Sequence, residues 1–370
     1  MPSLAAIHRF FRDDVSAILF SPVCIEGASH DTMHIKQEGN MSGGKGPGFP
    51  EGEDMRQRLF GKVCGTFEVR NSKRQKSAFL RWVQEMLREE GIPSRVSIDR
   101  CVVKNRNLII GNLEKAATVV TAHYDTPKVM PFPFATYLDH FWLSLFSQSW
   151  GIILALAIPQ FLLAYLSVSL FPRYLLFLLT FVLFFFTVNN HHNKNDNSSG
   201  VLGVLECALR CKETGREDIA FVLFDNEEWG LLGSAGFAKK YGKQMKGKWV
   251  VNLDCIGAGD DLILVCNKFT LPKAQSMVWA LGKEPPGKRV YARLSKNMLV
   301  MSDNANFSAN GIMIGAFRKD RFGLKLSRIH RWTDRELDEK NIDLVCDLIT
   351  AHESGKSVKY MEREPKRKIC

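Results

Sequence analysis

Between Trp150 and Val188 the chain carries a single charged residue, Arg173, and this stretch limits what the rest can be. Trp150–Leu170 is twenty-one residues with only Gln160 and two serines strongly polar, and Tyr174–Val188 is fifteen with none charged. The consecutive Phe184, Phe185 and Phe186 leave no polar face, which a helix at a protein–water boundary needs. The first run is long enough to cross a bilayer. The second gives about 22 Å of helix against a hydrocarbon core of about 30 Å, and needs flanking residues or a thinned bilayer. Residues 132–190 therefore read as a membrane-associated helical insert with two crossings, a turn at Pro172-Arg173, and Arg173 reaching headgroups at the far face. At Asn189 the character reverses: the next residues, through Asp196, are all polar.

On either side of the insert the pattern is that of a folded domain. Phe79, Leu80, Val83, Met86 and Leu87 recur at helical spacing, and Gly91 and Pro93 stop the helix. Strand-like runs follow at Arg95–Val103, Asn107–Gly111 and Ala117–Ala122, the last apolar enough to be covered on both faces. After the insert come a helix over Ser198–Cys211, a strand over Ile219–Asp225, a helix around Leu232–Tyr241, strands over 249–254, 261–267 and 312–318, and a last helix over about Glu336–Ser354. Alternating strands and helices predict an α/β fold: a mixed, largely parallel sheet flanked by helices, interrupted by the insert. The expected organisation is one domain in two parts, 55–131 and 191–354. Residues 1–54 are a Gly-, Ser- and charge-rich leader of weak order, and 355–370 a basic tail. Arg9, Arg12, Asp13 and Asp14 interrupt the leader where a signal peptide needs an apolar core.

Fifty basic against thirty-nine acidic residues give +11, which suits an anionic membrane surface. The basic residues are scattered and not interleaved with aromatics, so no nucleic-acid partner is expected. Nine cysteines without a paired CxxC motif read as reduced thiols, and place the domain in the cytoplasm.

The polar residues that end the apolar strands carry the chemistry. His123 and Asp125 follow one strand, Glu227 and Glu228 another, and Asp254 ends a third; Asp196 precedes a helix, and His330 lies beyond the 312–318 strand. In open α/β sheets ligands collect at the carboxyl ends of strands, so these segments can meet in one crevice. Imidazole and carboxylate suit zinc. Two ions need roughly six contacts, which His123, Asp254, Glu228, His330 and a bridging Asp196 supply, leaving Glu227 free as a base. There is no HExxH, the helix-borne signature of a single-zinc protease.

Taken in order, TAHYDT (121–126), NDNSSGVLGVLE (195–206), LFDNEEWGLLGS (223–234), NLDCIG (252–257), SDNANFSANGI (302–312) and IHRWTD (329–334) resemble the successive motifs of the co-catalytic di-zinc aminopeptidase family, zinc exopeptidases that include bacterial leucyl aminopeptidases and glutamate carboxypeptidases. The resemblance covers roughly 60–128 and 190–352. It implies that His123 and Asp254 hold one Zn²⁺ and Glu228 and His330 the other. Asp196 bridges them, Asp125 orients His123, and Glu227 is the general base. It also implies a cis peptide between Asp196 and Asn197. His191 and His192 match no family ligand.

The function expected from this is a membrane-anchored zinc aminopeptidase acting on peptides, with two Zn²⁺ ions as cofactors and the lipid bilayer as a partner. Two alternatives stay open: a single-zinc acyltransferase resembling glutaminyl cyclase, needing only Asp196, Glu228 and His330, and a non-catalytic membrane receptor or scaffold. Arg318, Arg321, Arg328 and Arg331, near His330, keep open recognition of a substrate carboxylate. His123 precedes the insert and the other candidates follow it, so the number of crossings must be even.

Overall fold

The computed structural model describes residues 55–353 except 131, 187, 283, 295–301 and 308; the expected leader and basic tail lie outside the described residues. In chain order the elements are α1 (Met55–Gly61), α2 (Lys73–Glu89), β1 (Ser94–Arg100), β2 (Lys104–Ile110), β3 (Thr118–His123), β4 (Ala135–Tyr137), α3 (Phe141–Tyr165), α4 (Leu170–Phe186), α5 (Gly200–Glu213), β5 (Ile219–Phe224), α6 (Leu232–Met245), β6 (Trp249–Leu253), β7 (Asp261–Cys266), α7 (Leu271–Leu281), β8 (Arg289–Leu294), β9 (Gly311–Asp320), β10 (Gly323–Ser327) and α8 (Glu339–Glu353).

α2 begins at a capping box in which Ser72 and Gln75 satisfy each other's backbone N–H groups. Its stripe of Phe79, Leu80, Val83, Met86 and Leu87 is buried as the spacing requires. The strands alternate their side chains between two cores. Leu108, Ile110, Val120 and Leu223 pack with α2, α5 and α8 on one face. Ile109, Val119, Val222 and Phe224 pack with α6 on the other. The sheet is thus covered on both sides, and β3 is wholly buried at its centre.

Strand order is β1-β2-β5-β3-β6-β9-β10-β4, with β7 beside β9 and β8 beside β7. β5, β3, β6 and β9 run parallel. The flanks are antiparallel: β1 with β2, β2 with β5, β9 with β10, and β10 with β4. The sheet is therefore mixed with a parallel centre, less parallel than the strand–helix alternation predicted. The reason is connection length: residues 101–103 and 321–322 are too short for a crossover and can join only antiparallel neighbours. β4, β8, β10, α1 and α7 carried no pattern strong enough to read.

Within the insert, the helices do not follow the limits of the apolar runs. α3 starts at Phe141, nine residues before the apolar run. The turn between the two apolar helices lies at 166–169, with Ser167 in the left-handed region (φ 55°), and not at Pro172-Arg173. Pro172 sits in the first turn of α4, where its missing N–H costs nothing. Gln160, the polar residue inside α3, donates to the Arg173 carbonyl. α3 is long and apolar enough to cross a membrane; α4, with an apolar stretch over Leu170–Val182, is shorter. Phe161, Tyr165, Leu170 and Phe171 are all more than three-quarters exposed. At its base the insert closes on itself: Lys128 pairs antiparallel with Asn189, and Val129 N–H donates to the Val188 carbonyl.

Candidate metal centre

Parallel strands that end together deliver their following residues to one edge of the sheet. His123 ends β3, Glu227 and Glu228 follow β5, and Asp254 follows β6. Asp196 lies in the segment that leads into α5 and is joined to the following Asn197 by a cis peptide bond, as the resemblance implied. His330 arrives from beyond β10, a strand later than the sequence suggested.

Asp196 stands at the centre of the set. Its Oδ1 is 3.4 Å from His123 Nε2 and its Oδ2 is 3.0 Å from His330 Nε2, so one carboxylate presents an oxygen to each histidine. His123 Nε2 lies 3.9 Å from Asp254 Oδ1 and 4.0 Å from Glu227 Oε2, and His330 Nε2 lies 3.6 Å from Glu228 Oε2. All seven predicted site residues are thereby together. His191 and His192 are not among them; His192 lies against Glu68 and Arg335.

Asp125 contacts His123 chiefly through its main chain. His123 Nδ1 meets the backbone carbonyl of Asp125 at 3.1 Å, while the nearer carboxylate oxygen is 3.7 Å away. The carboxylate instead accepts the backbone N–H groups of Glu227 (3.0 Å) and Glu228 (3.2 Å). Asp125 thus holds the histidine by its main chain and the tandem glutamates by its side chain. Hydrogen bonds to an ionised acceptor contribute about 1.5–3 kcal/mol each.

Three buried residues complete the centre and were not singled out from sequence, although two sit inside the quoted motifs. Asp334 accepts the backbone N–H groups of Asn195 (2.8 Å) and Asp196 (2.9 Å), fixing the turn that carries the bridging position. Asp303 is fully buried with no hydrogen-bond partner on either oxygen. Arg70 is also fully buried; its guanidinium donates to the carbonyls of Tyr124 and Phe67 and to Ser198 Oγ, tying the end of β3 to the start of α5. Close packing fixes the start of α5 against the end of β6 as well: a Cβ on Gly200 would lie 2.4 Å from the Leu253 carbonyl oxygen.

Electrostatics mark the set as a site for cations. Six carboxylates (Asp125, Asp196, Glu227, Glu228, Asp254 and Asp303) gather around two imidazoles. Burial pushes Glu227 and Glu228 well above the usual carboxylate range, with negative neighbours adding to it. Burial drives Asp303 up to about 7, against the pull of His123. Burial also opposes ionisation of Asp196, yet its hydrogen bonds with both histidines hold it below its ordinary value. His123 is raised despite its burial, chiefly by the charge of Glu227. Glu228 Oε1 is buried without a hydrogen-bond partner. An excess of buried carboxylates, two of them (Glu228 and Asp303) with orphaned oxygens, fits divalent cations. Among the described residues, three triplets have all donor atoms within 4.8 Å of one another: His123, Glu227 and Asp254; His123, Asp196 and Glu228; and Asp196, Asp254 and Cys255.

The centre opens into a cavity of about 540 Å³ whose lining includes both histidines and the glutamate pair. Among the described residues no arginine or lysine lines it. Arg318 and Arg328 are engaged by Glu336, and Arg321 and Arg331 stack on Phe322 and Trp332. A second cleft of about 710 Å³ contains Lys288, Asp260 and Asp338, and Lys288 pairs with both aspartates.

Residues 187–350 match Peptidase family M28. A search of curated proteins found no match. Among solved structures the chain is similar to a Zn-dependent exopeptidase from Parabacteroides distasonis (14% identity, 80% of this chain and 98% of that one, TM-score 0.52). It is also similar to a glutaminyl cyclase from Bacteroides thetaiotaomicron (15%, 80% and 94%, TM-score 0.51) and to the LapA aminopeptidase of Legionella pneumophila (12%, 80% and 68%, TM-score 0.50). At these identities the likeness is one of fold. The family match begins at residue 187, just beyond α4, so His123 and Asp125 lie outside it and join the centre through the sheet.

Proposed function

We propose that this zinc metallopeptidase is a membrane-anchored aminopeptidase with two zinc ions. The observation that carries the reading is Asp196, whose two oxygens face His123 and His330 separately, the disposition a bridging carboxylate needs. His123 and Asp254 would hold one ion, Glu228 and His330 the other, and Asp196 both. When bound, zinc would supply Lewis acidity and a water of lowered pKa. Glu227, its proton affinity raised by burial, would take a proton from the attacking water and return it to the leaving amine. Asp125 keeps Glu227 and Glu228 in register, so that one can serve as ligand and the other as base. The described lining, with carboxylates and no arginine or lysine among its residues, favours the amino over the carboxyl end of a peptide. The test is a peptide-library digest with and without chelator, alongside bound-zinc analysis. Shortening from the amino terminus that stops on chelation, with two zinc ions per chain, is the expected result. Cyclisation of N-terminal glutamine with one zinc would favour the acyltransferase, which the similar glutaminyl cyclase folds support as the second reading.

The length and exposure of α3 support a membrane anchor, with α4 returning the chain. Seventeen residues of α4 rise about 25 Å, so a thinned bilayer or polar flanks would complete the second crossing. Pairing of Lys128 with Asn189 supports exit and re-entry on one side. The thiols of Cys64, Cys207, Cys211, Cys255, Cys266 and Cys346, outside any disulfide, support a cytoplasmic site. In a cysteine-free background, Lys115→Cys and Glu213→Cys are expected to label from the same side of sealed vesicles and Ser167→Cys from the opposite side. Opposite-side labelling of positions 115 and 213 would refute the two-crossing arrangement.

A further inference from the structure

The insert does more than hang from the domain. The face of α3 formed by Ser144, Ser147, Gln148 and Gly151 lies along β4 and the residues before it. Ser144 Oγ accepts the backbone N–H of Tyr137 and Ser147 Oγ that of Ala135, both at 2.8 Å. Gln148 Nε2 donates to Thr136 Oγ1 at 2.9 Å. Gly151 lies so close to Phe132 that a Cβ would sit 2.1 Å from its ring. Small and polar residues at helical spacing thus seat the first turns of the helix in one register.

That register reaches the metal centre. Phe134 meets the His330 ring edge-on at 5.7 Å between centroids, and the Met130 N–H donates to the His330 carbonyl at 2.6 Å. Thr136 and Gln148 line the same cavity as His123, Glu227 and His330. Apart from the carboxylates and imidazoles, its side-chain walls are otherwise Met130, Phe134, Leu231, Cys255, Leu326 and Ile329. An apolar wall takes an apolar stem; the amide and hydroxyl are the groups on it able to read an uncharged hydrogen-bonding tip.

We infer that the inserted helix forms part of the substrate pocket and that Gln148, with Thr136, is a specificity-determining residue selecting terminal side chains that carry an uncharged polar tip on an apolar stem. This rests on the aminopeptidase reading for the name of the substrate, but the pocket chemistry stands apart from turnover. Side-chain pairs matched in shape and differing at the tip isolate it: tyrosine against phenylalanine, and glutamine against methionine. A site built to bond a polar group discriminates strongly against the analogue that lacks it.

The experiment uses the full chain in detergent, its Gln148→Leu variant and its Thr136→Val variant, the last nearly isosteric and a safeguard if the first misfolds. Two readouts are taken: kcat/KM on the four aminoacyl p-nitroanilides, and calorimetric affinity for tyrosine and phenylalanine hydroxamates, which binds without turnover. Bound zinc is measured throughout. The expected result is a wild-type preference for the polar member of each pair that falls by about tenfold or more in both variants with zinc retained. Unchanged ratios in a zinc-loaded variant, or no wild-type preference in either readout, would overturn the inference. No hydrolysis by the wild type, with hydroxamate ratios still shifted by Gln148→Leu, would overturn the aminopeptidase reading and leave the pocket assignment standing.

Discussion

Glu227→Gln is expected to keep its zinc and lose about 10²–10⁴-fold of kcat, the usual contribution of a positioned general base. The amide has nearly the shape of the carboxylate but cannot accept and return a proton. The backbone should not move, because Asp125 grips the N–H groups of both residues 227 and 228. Glu228→Gln is expected to do the opposite and lose metal, since Oε2 faces His330 at 3.6 Å and Oε1 has no hydrogen-bond partner. Both glutamates lie within reach of His123, each in a different triplet of donors, so the pair of phenotypes decides their roles. Zinc content and kcat measured on both variants make the comparison. Exchange of the two phenotypes would reverse the assignment of ligand and base.

Asp196→Asn is expected to weaken both zinc sites together. An asparagine offers one carbonyl oxygen and turns an NH₂ toward whichever ion the other oxygen faced. Loss of an outer partner of a metal ligand typically costs 10–100-fold in affinity, and loss of a shared ligand should cost at least about that at each site. The turn itself should persist: Asp334 accepts the N–H groups of residues 195 and 196, and Asn197 donates from its side chain to the Leu253 carbonyl at 2.9 Å. Stepwise zinc titration with a competing chelator checks the result. Wild-type affinity retained at either site would remove Asp196 from the bridging position.

Much of the centre was legible because β strands stop sharply. In Ala117–Ala122 and Ile219–Asp225 the apolar residues end where His123 and Asn226-Glu227-Glu228 begin, and parallel neighbours place such ends side by side. Asp303 and Asp334 were harder: each lies inside a recognisable motif, but an aspartate at a turn has the same local appearance whether it caps a helix in water or is buried beneath a metal centre. Arg70 gave no signal. A lone arginine before a helix reads as surface, and only its enclosure by Tyr124, Phe67 and Ser198 reveals otherwise.

By itself the sequence determined the elements of the sheet's centre and the helices beside them, the polar residues at their ends and the apolar insert between His123 and Asp196. These follow from periodicity, turn chemistry and hydropathy, which act over a few residues. The tertiary structure decided the antiparallel flanks of the sheet, the orientation of the Asp196 oxygens, the use of Asp125 on the glutamate backbone and the placement of Gln148 on the cavity wall. Each of these depends on contacts between distant segments, such as Asp196 with His330, or on which way a side chain turns once packed. Local patterns carry no information about either, because one helix face or strand end is compatible with many partners until the chain closes around it.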